Sequence, residues 1–269
     1  MHSNFVTVAN NHPIVSSIWQ MTIDSENTPY SSPIISFGKT FIVYNFNNEP
    51  FKLNINNNSY NMNGLSICFQ NYGFIEINYF KKSYDLGVIM HPTAFYKMFK
   101  INMSTLTNQI VKLENINKEL SLKLSRIFIE HKFDMVEFKS QIVKFFDEYP
   151  LYEDKKTLKI DEIIKIIEEK EGKITLPQVL DFAKISRRTL ENHFNKIVGI
   201  TPAKYIRKIK FTSIIRKYQN NEIDLDKMIK DFQFYDASHL NKEFRLFTGQ
   251  TPKQFFGAKY PLIKNLLSK

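Results

Sequence analysis

The 269-residue sequence has a single cysteine, Cys68, and a single tryptophan, Trp19. One cysteine excludes an intramolecular disulfide and a cysteine-based zinc site. Cys68 lies in an apolar run, which predicts a small buried hydrophobe rather than a nucleophile. The six histidines are isolated from one another, so the sequence predicts no metal site.

Long apolar runs and targeting signals are also missing. No stretch reaches the roughly 18 consecutive apolar residues that a membrane span needs. Residues 1–10 show no basic segment followed by an apolar one, as a secretory signal would. There is neither a glycine-rich phosphate loop nor a Gly-x-Ser-x-Gly motif. We therefore expect a cytoplasmic protein that is not an enzyme, carries no cofactor and binds no membrane.

Basic residues are concentrated in the second half of the chain. The net charge is +10, and residues 1–150 hold 13 Lys and Arg against 12 Asp and Glu, so residues 151–269 hold 24 against 15. An excess of nine positive charges on one half suggests a polyanionic partner for that half. A solvated lysine-rich surface is the alternative, so the spacing of the residues must decide.

The first hundred residues read as mostly β. Three short runs are rich in β-branched and aromatic residues, at 34–37, 40–46 and 74–80. Between them, the asparagine-rich stretch 54–64 predicts turns. Trp19 and the aromatic residues of this half could line an effector pocket. We predict a small β-rich, barrel-like sensor domain over residues 1–102.

The pattern then becomes helical. Leu106, Ile110 and Leu113 begin a series of apolar residues at three- and four-residue steps. Asp134 and Glu137 form the signature of a capping box that opens a second helix. We predict a helical connector over 103–150 that could mediate dimerisation, and then a linker around Pro150.

The remaining residues contain an internal duplication. A shift of 50 residues superimposes five identical pairs, which indicates a repeated unit. The pairs are Leu190 and Leu240, Phe194 and Phe244, Gly199 and Gly249, Thr201 and Thr251, and Pro202 and Pro252.

Each unit has the start and stop signals of a helix-turn-helix. In the first, Thr175 and Ser186 would cap two helices, Gly199 would end the second, and Thr201-Pro202 would start the next. In the second unit, Asp224, Asp236, Gly249 and Thr251-Pro252 take the same roles. In the DNA-binding form of this motif, the second helix enters the major groove.

The second helix of each unit has an apolar face and a polar face. Leu190, Phe194, Leu240 and Phe244 are predicted to be core residues, because a four-residue step places each pair on one face. The opposite faces carry side chains that can contact bases. These are Arg187, Arg188, Glu191, Asn192, Ala237, Ser238, Asn241 and Lys242.

The segment that connects the two units is basic and 18 residues long, from Pro202 to Gln219. As a helix it would span about 27 Å, near the roughly 34 Å between successive major grooves. Several side chains should therefore contact phosphates, which adds affinity without sequence information. The predicted phosphate contacts are Ser186, Lys196, Thr201, Lys204, Arg207, Lys210, Thr251 and Lys253.

These motifs resemble the DNA-binding domain of AraC/XylS-type regulators. The resemblance covers about 157–256, and SRRTLENHFNKIVGITP (186–202) and FYDASHLNKEFRLFTGQTP (234–252) carry it. It implies a seven-helix domain over 157–258 with two helix-turn-helix motifs. The family usually has glycine where this chain has Lys184 and Gln233, so a positive φ there would cost about 1 kcal/mol each. Residues 87–113 resemble, more weakly, the sensor domains of this family.

Together these features predict an α+β protein with a β-rich sensor domain, a helical connector and a C-terminal all-α DNA-binding domain. The expected function is sequence-specific transcriptional regulation through double-stranded DNA and RNA polymerase. The N-terminal region would gate activity by binding a small-molecule effector, by forming a homodimer, or both. Two alternatives stay open: a low-specificity nucleic-acid binder, and an enzyme with an appended DNA-binding domain.

Overall fold

The computed structural model describes residues 2–7, 12–47, 49–219, 224–258 and 260–263. Its N-terminal half contains two antiparallel sheets. The first sheet has six strands in the order β1-β2-β9-β4-β7-β10. Its strands are β1 (His2–Thr7), β2 (Val15–Ile23), β4 (Thr40–Asn45), β7 (Gly64–Cys68), β9 (Ser83–Met90) and β10 (Ile110–Lys112).

The second sheet has four strands in the order β3-β8-β5-β6. They are β3 (Tyr30–Pro33), β5 (Phe51–Ile55), β6 (Asn58–Met62) and β8 (Ile75–Tyr79). An apolar cluster joins the two sheets, with Met21 and Val43 from the first and Phe51 and Ile77 from the second. The N-terminal half is therefore β-rich, as predicted.

Two sequence interpretations in this half were wrong. Residues 34–37 do not form a strand, because β3 ends at Pro33 and Phe37 (φ 51°) and Gly38 (φ 71°) make a turn. The stretch 54–64 is mostly a hairpin of β5 and β6, and only its tip at Asn56 (φ 51°) is a turn. In the second case pairing between β5 and β6 decided the structure, since asparagine tolerates a strand when its partner fixes the register.

The helix predicted from Leu106 was also wrong. Residues 103–106 form a 3-10 turn, Asn108 has φ 62°, and β10 pairs with the edge of β7 through Ile110 and Cys68. Apolar residues three and four apart can therefore serve a turn and an edge strand as well as a helix. The helices of the predicted connector are α2 (Lys118–Glu130) and α3 (Met135–Asp147), and α1 (Ala94–Phe99) precedes them.

Seven helices follow in the described part of the second half, as the family resemblance implied. They are α4 (Lys155–Glu169), α5 (Leu176–Ala183), α6 (Arg187–Val198), α7 (Pro202–Tyr218), α8 (Leu225–Asp231), α9 (Ala237–Thr248) and α10 (Pro252–Gly257). The predicted caps are confirmed. Thr175 closes a capping box with Gln178, and Ser186, Thr201, Asp224, Asp236 and Thr251 each accept a backbone N–H of the following helix.

The two halves share one hydrophobic core. A single cluster of buried side chains runs from sheet residues such as Ile18 and Val88, through Phe128 and Phe146, to Phe194 in α6. An ion pair crosses the same boundary, because Lys39 of the N-terminal half pairs with Glu168 of α4 at 2.8 Å. Within the C-terminal half, the Tyr205 hydroxyl donates to the same carboxylate at 2.7 Å. A second cluster surrounds α7 to α10.

The two turns of the duplicated motif are strained. Lys184 (φ 55°) and Gln233 (φ 53°) adopt the left-handed conformation, which disfavours a side chain. We expect Lys184→Gly and Gln233→Gly each to raise the free energy of unfolding by about 1 kcal/mol. Urea denaturation measures this change. Lys170→Gly is the control, because Lys170 ends α4 at φ −83° and glycine should stabilise nothing there.

Candidate nucleic-acid interface and buried cavity

Helix α6 packs one apolar face into the core and presents its polar face to solvent. Leu190 and Phe194 are fully buried, as predicted, and Gly199 ends the helix at φ 100°. On the outer face, Arg187 pairs with Glu191 at 2.9 Å. Arg188 and Asn192 are exposed, and among the described residues Arg188 has no ion-pair partner. Of the two adjacent arginines at the start of α6, Arg188 is therefore the one more available to a ligand.

Helix α9 is built in the same way. Leu240 and Phe244 are buried, and Ala237, Ser238 and Lys242 are exposed while Asn241 is half-buried. Asp236 is occupied as the cap and accepts the His239 N–H at 2.7 Å. One residue was missed from sequence: Tyr235, which precedes the cap, is 92% exposed. An exposed tyrosine beside a recognition helix can contact phosphate or base.

Three predicted phosphate contacts already contact other side chains of the protein. Lys204 lies 5.1 Å from the ring centroid of Tyr72, and Lys210 lies 4.4 Å from that of Phe234. Arg207 forms an ion pair with Glu243, a buried residue of α9. Lys204 and Arg207 are nevertheless exposed and Lys210 is half-buried, so a phosphate would share these cations with the side chains that they already contact.

The other five predicted phosphate contacts lie at helix starts or on open surface. The side chains of Ser186, Thr201 and Thr251 cap α6, α7 and α10. Lys196 and Lys253 are exposed, and Lys196 lines a groove with Asn192 and Tyr152. The structure thus brings the predicted base contacts to two exposed helix faces and spreads the phosphate contacts more widely.

A cavity of about 90 Å³ lies between the two β-sheets. Its wall is almost entirely apolar and includes Trp19, Phe41, Leu53, Cys68 and Leu262. The thiol of Cys68 faces the cavity and is shielded from bulk water, which raises its pKa to about 12. The cavity is therefore suited to an apolar group and offers no reactive thiolate.

Trp19 has its place in this wall because Gly87 lies opposite it in the neighbouring strand. A Cβ at Gly87 would lie 2.2 Å from the indole ring, a distance at which atoms overlap. Gly87 therefore lets the bulky ring lie flat on the sheet and fill one side of the cavity.

A buried lysine lies beside the cavity, at the boundary of the two halves. Lys208 of α7 is 3% exposed, and its Nζ donates to Gln70 Oε1 (3.0 Å) and to the backbone O (2.5 Å) and Oδ1 (2.9 Å) of Asn71. Burial lowers the pKa of Lys208 to about 7. A small recess lined by Lys208 lies next to the cavity, and Ser36 and Asn71 line both spaces.

A buried acid lies elsewhere in the β region. Asp85 is fully buried and accepts hydrogen bonds from Asn45 (2.6 Å), Tyr79 (2.9 Å) and Ser83 (3.0 Å). Burial raises its pKa to about 7, although the three donors oppose that shift. Neither Lys208 nor Asp85 was singled out from sequence, since a buried charge gives no periodic signal.

Two capped helix pairs joined by a long helix, each with an exposed polar face, define a tandem helix-turn-helix DNA-binding protein. The second half of the chain contains a helix-turn-helix domain of the AraC type, which confirms the resemblance seen in the sequence. Residues 180–258 match the family model described as a helix-turn-helix domain, and residues 12–112 match a domain of unknown function (DUF6597).

The whole chain is similar in fold to ToxT from Vibrio cholerae. The structure of wild-type ToxT from strain SCE256 bound to an unsaturated fatty acid has a TM-score of 0.50 at 11% identity, covering 97% of this chain and 99% of ToxT. ToxT from strain O395 bound to (E)-4-(8-methylnaphthalen-1-yl)but-3-enoic acid has a TM-score of 0.49 at 12% identity, covering 96% and 99%. No curated protein sequence matches the chain. Within the described residues, no helix is long and apolar enough to span a bilayer.

Proposed function

We propose that this regulator reads a specific duplex site with α6 and α9, and that an effector in the inter-sheet cavity gates this binding. The observation that supports DNA reading is that α6 and α9 are both capped helices, each with one apolar face buried in the core and a polar face exposed. Arg188 is free to contact guanine, and Asn192, Ser238 and Asn241 have side chains that can contact adenine or other bases. Arg187, Glu191, Ala237 and Lys242 complete the proposed base-reading set.

The effector we propose has an apolar body and an anionic head. The cavity wall supports the apolar body, and Lys208 supports the head because its ammonium is buried without a carboxylate partner among the described residues. An uncompensated buried charge is costly, so an anion that reaches it through the recess would be favoured. The fatty acid bound by ToxT is of this class.

The charge of Lys208 makes the binding of such an effector depend on pH. Its folded pKa of about 7 means that the ammonium loses its proton as pH rises above about 7, so affinity for oleate should fall by up to about tenfold per pH unit. Lys208→Gln should show a flat profile. The measurement is oleate titration followed by Trp19 fluorescence between pH 6 and pH 9.

Lys210→Gln is the matched control for that experiment, because Lys210 is a half-buried lysine of the same helix but does not line the recess. It should keep the pH dependence of the unmodified chain. Identical profiles for the unmodified chain and Lys208→Gln would remove Lys208 from the effector site.

Homodimerisation and contact with RNA polymerase complete the proposal, and we place the protein in the cytoplasm. An exposed apolar stripe on α2, α3 and the loop between them supports a dimer. It comprises Leu122, Ile129, Phe133 and Val136, which are 50–81% exposed.

The test of the proposed function is fluorescence anisotropy of the intact chain on DNA from upstream of its own gene and of neighbouring genes. Scrambled DNA of equal length is the control, and each is titrated across salt. A regulator should prefer its site by about a thousandfold at physiological salt. Equal, steeply salt-dependent binding to both DNAs would instead favour a low-specificity nucleic-acid binder, and no binding to either would reopen the enzyme alternative.

A further inference from the structure

Segment 260–263, which follows α10, returns to the β region. Leu262 is 4% exposed and packs in the cluster between the two sheets, with Met21 and Phe51. Its neighbour Ile263 is 3% exposed and packs in the other cluster, around α7 to α10. Two adjacent side chains of this segment therefore belong to two different cores.

The same segment is held to the second helix-turn-helix. Gln250 Nε2 donates to the Tyr260 hydroxyl at 2.6 Å, and the Tyr260 ring lies 5.3 Å from the ring of Phe255 in α10. Gln250 follows Gly249, which ends α9. The segment thus links the end of a recognition helix to the cavity in the β region.

Leu262 is part of the cavity wall, and the space it leaves is small. The cavity measures about 90 Å³, whereas sites for small-molecule ligands usually measure about 300–1,000 Å³. Most of the surrounding wall comes from side chains of the two hydrogen-bonded sheets, and the loop residues 34–37, Phe69 and Asn71 complete it. The Leu262 side chain enters from a short segment outside those sheets, so it can leave without breaking a strand pairing.

We propose that Leu262 is an internal ligand of the cavity, and that an effector must displace it to bind. This inference rests on the proposed effector function and adds how the binding of the effector is regulated. Displacement removes one of the contacts between the β region and the second helix-turn-helix, through Tyr260 and Gln250. Effector occupancy and the packing of segment 260–263 are then mutually exclusive, and this exclusion couples the cavity to α9.

The chain carries its own probes for this proposal. Its only cysteine, Cys68, and its only tryptophan, Trp19, both line the cavity. In the intact chain, Leu262→Ala should speed labelling of Cys68 by 4,4′-dithiodipyridine by about tenfold or more, because the loss of packing favours local opening. The same variant should bind oleate about tenfold more tightly, since less of the closed form competes.

Met228→Ala is the matched control, because Met228 is a fully buried apolar residue of the second helix-turn-helix core that does not touch the cavity. It should label and bind oleate like the unmodified chain. Leu262→Met keeps the apolar volume and should also behave like the unmodified chain, which guards against a misfolded alanine variant.

The outcomes separate this proposal from the proposed function. Unchanged labelling of Leu262→Ala, or equal acceleration in Met228→Ala, would overturn the internal-ligand proposal without touching DNA binding. If Leu262→Ala labelled faster but bound oleate no more tightly than the unmodified chain, the proposal that Leu262 competes with the effector for the cavity would be overturned. Faster labelling with no oleate binding by either chain would support the packing of Leu262 in the cavity and remove fatty acids from the proposed function.

Discussion

Arg188→Ala will weaken binding to the specific DNA site by about 1–3 kcal/mol and relax sequence preference, if Arg188 reads a base. The guanidinium is exposed at the start of α6 and has no ion-pair partner among the described residues, whereas Arg187 beside it is paired with Glu191. An arginine that is free to form two parallel hydrogen bonds matches the O6 and N7 acceptors of guanine. Fluorescence anisotropy on specific and scrambled DNA measures both the loss of affinity and the ratio of specific to non-specific binding.

Lys253→Ala is the comparison for this variant. Lys253 is exposed at the start of α10 and is proposed to contact phosphate, so its loss should weaken binding to all sequences alike and reduce the salt slope by about one. If Arg188→Ala left the ratio of specific to non-specific binding unchanged, Arg188 would belong with the phosphate contacts.

Asp85→Asn will stabilise the protein at pH 8 by about 4 kcal/mol and have little effect at pH 4. The pKa of Asp85 is about 7 in the folded chain, above its ordinary value of 3.8. As pH rises from about 4 to 7, the unfolded chain releases this proton and the folded chain keeps it, so stability falls by about 1.4 kcal/mol per unit. Above about pH 7 the loss of stability is complete, because Asp85 is ionised in the folded chain as well. Asparagine does not ionise and therefore avoids this loss. Urea denaturation at several pH values measures the difference.

Glu76→Gln controls for the removal of any carboxylate from the β region, because Glu76 is only half-buried in β8. An Asp85→Asn chain whose stability differed from that of the unmodified chain by the same amount at pH 4 and pH 8 would contradict the titration of Asp85. The difference would then come from hydrogen bonding with Asn45, Tyr79 and Ser83.

The helical half could be predicted from sequence because its signals are local. A cap such as Ser186 or Asp236 bonds within three residues, and Gly199 ends a helix through its own φ. The possibility of left-handed turns at Lys184 and Gln233 came from the family resemblance, because the family usually has glycine at these two positions. The exposed faces of α6 and α9 followed from helical periodicity, since Leu190 and Phe194 fix the buried side.

The rest depends on contacts between distant residues. The strand that contains Ile110 forms only because β7 has a free edge to pair with. The apolar residues around it are spaced three and four apart, which is also the spacing of a helix. Helix α7 looked like a basic surface helix, yet Lys208 is buried against Asn71 and Arg207 is paired with Glu243. The cavity brings Leu262 into contact with residues more than 200 positions earlier in the chain, and no periodic pattern in the sequence predicts such a contact.

The core that the two halves share also affects how much regulator is present. Because one apolar cluster runs from the sheets into α6 and α7, the β region and the first helix-turn-helix should unfold in one transition. An effector at a hundred times its dissociation constant would stabilise that whole unit by about 2.7 kcal/mol. Since proteases act on unfolded chains, effector supply would set the lifetime of the protein as well as its affinity for DNA.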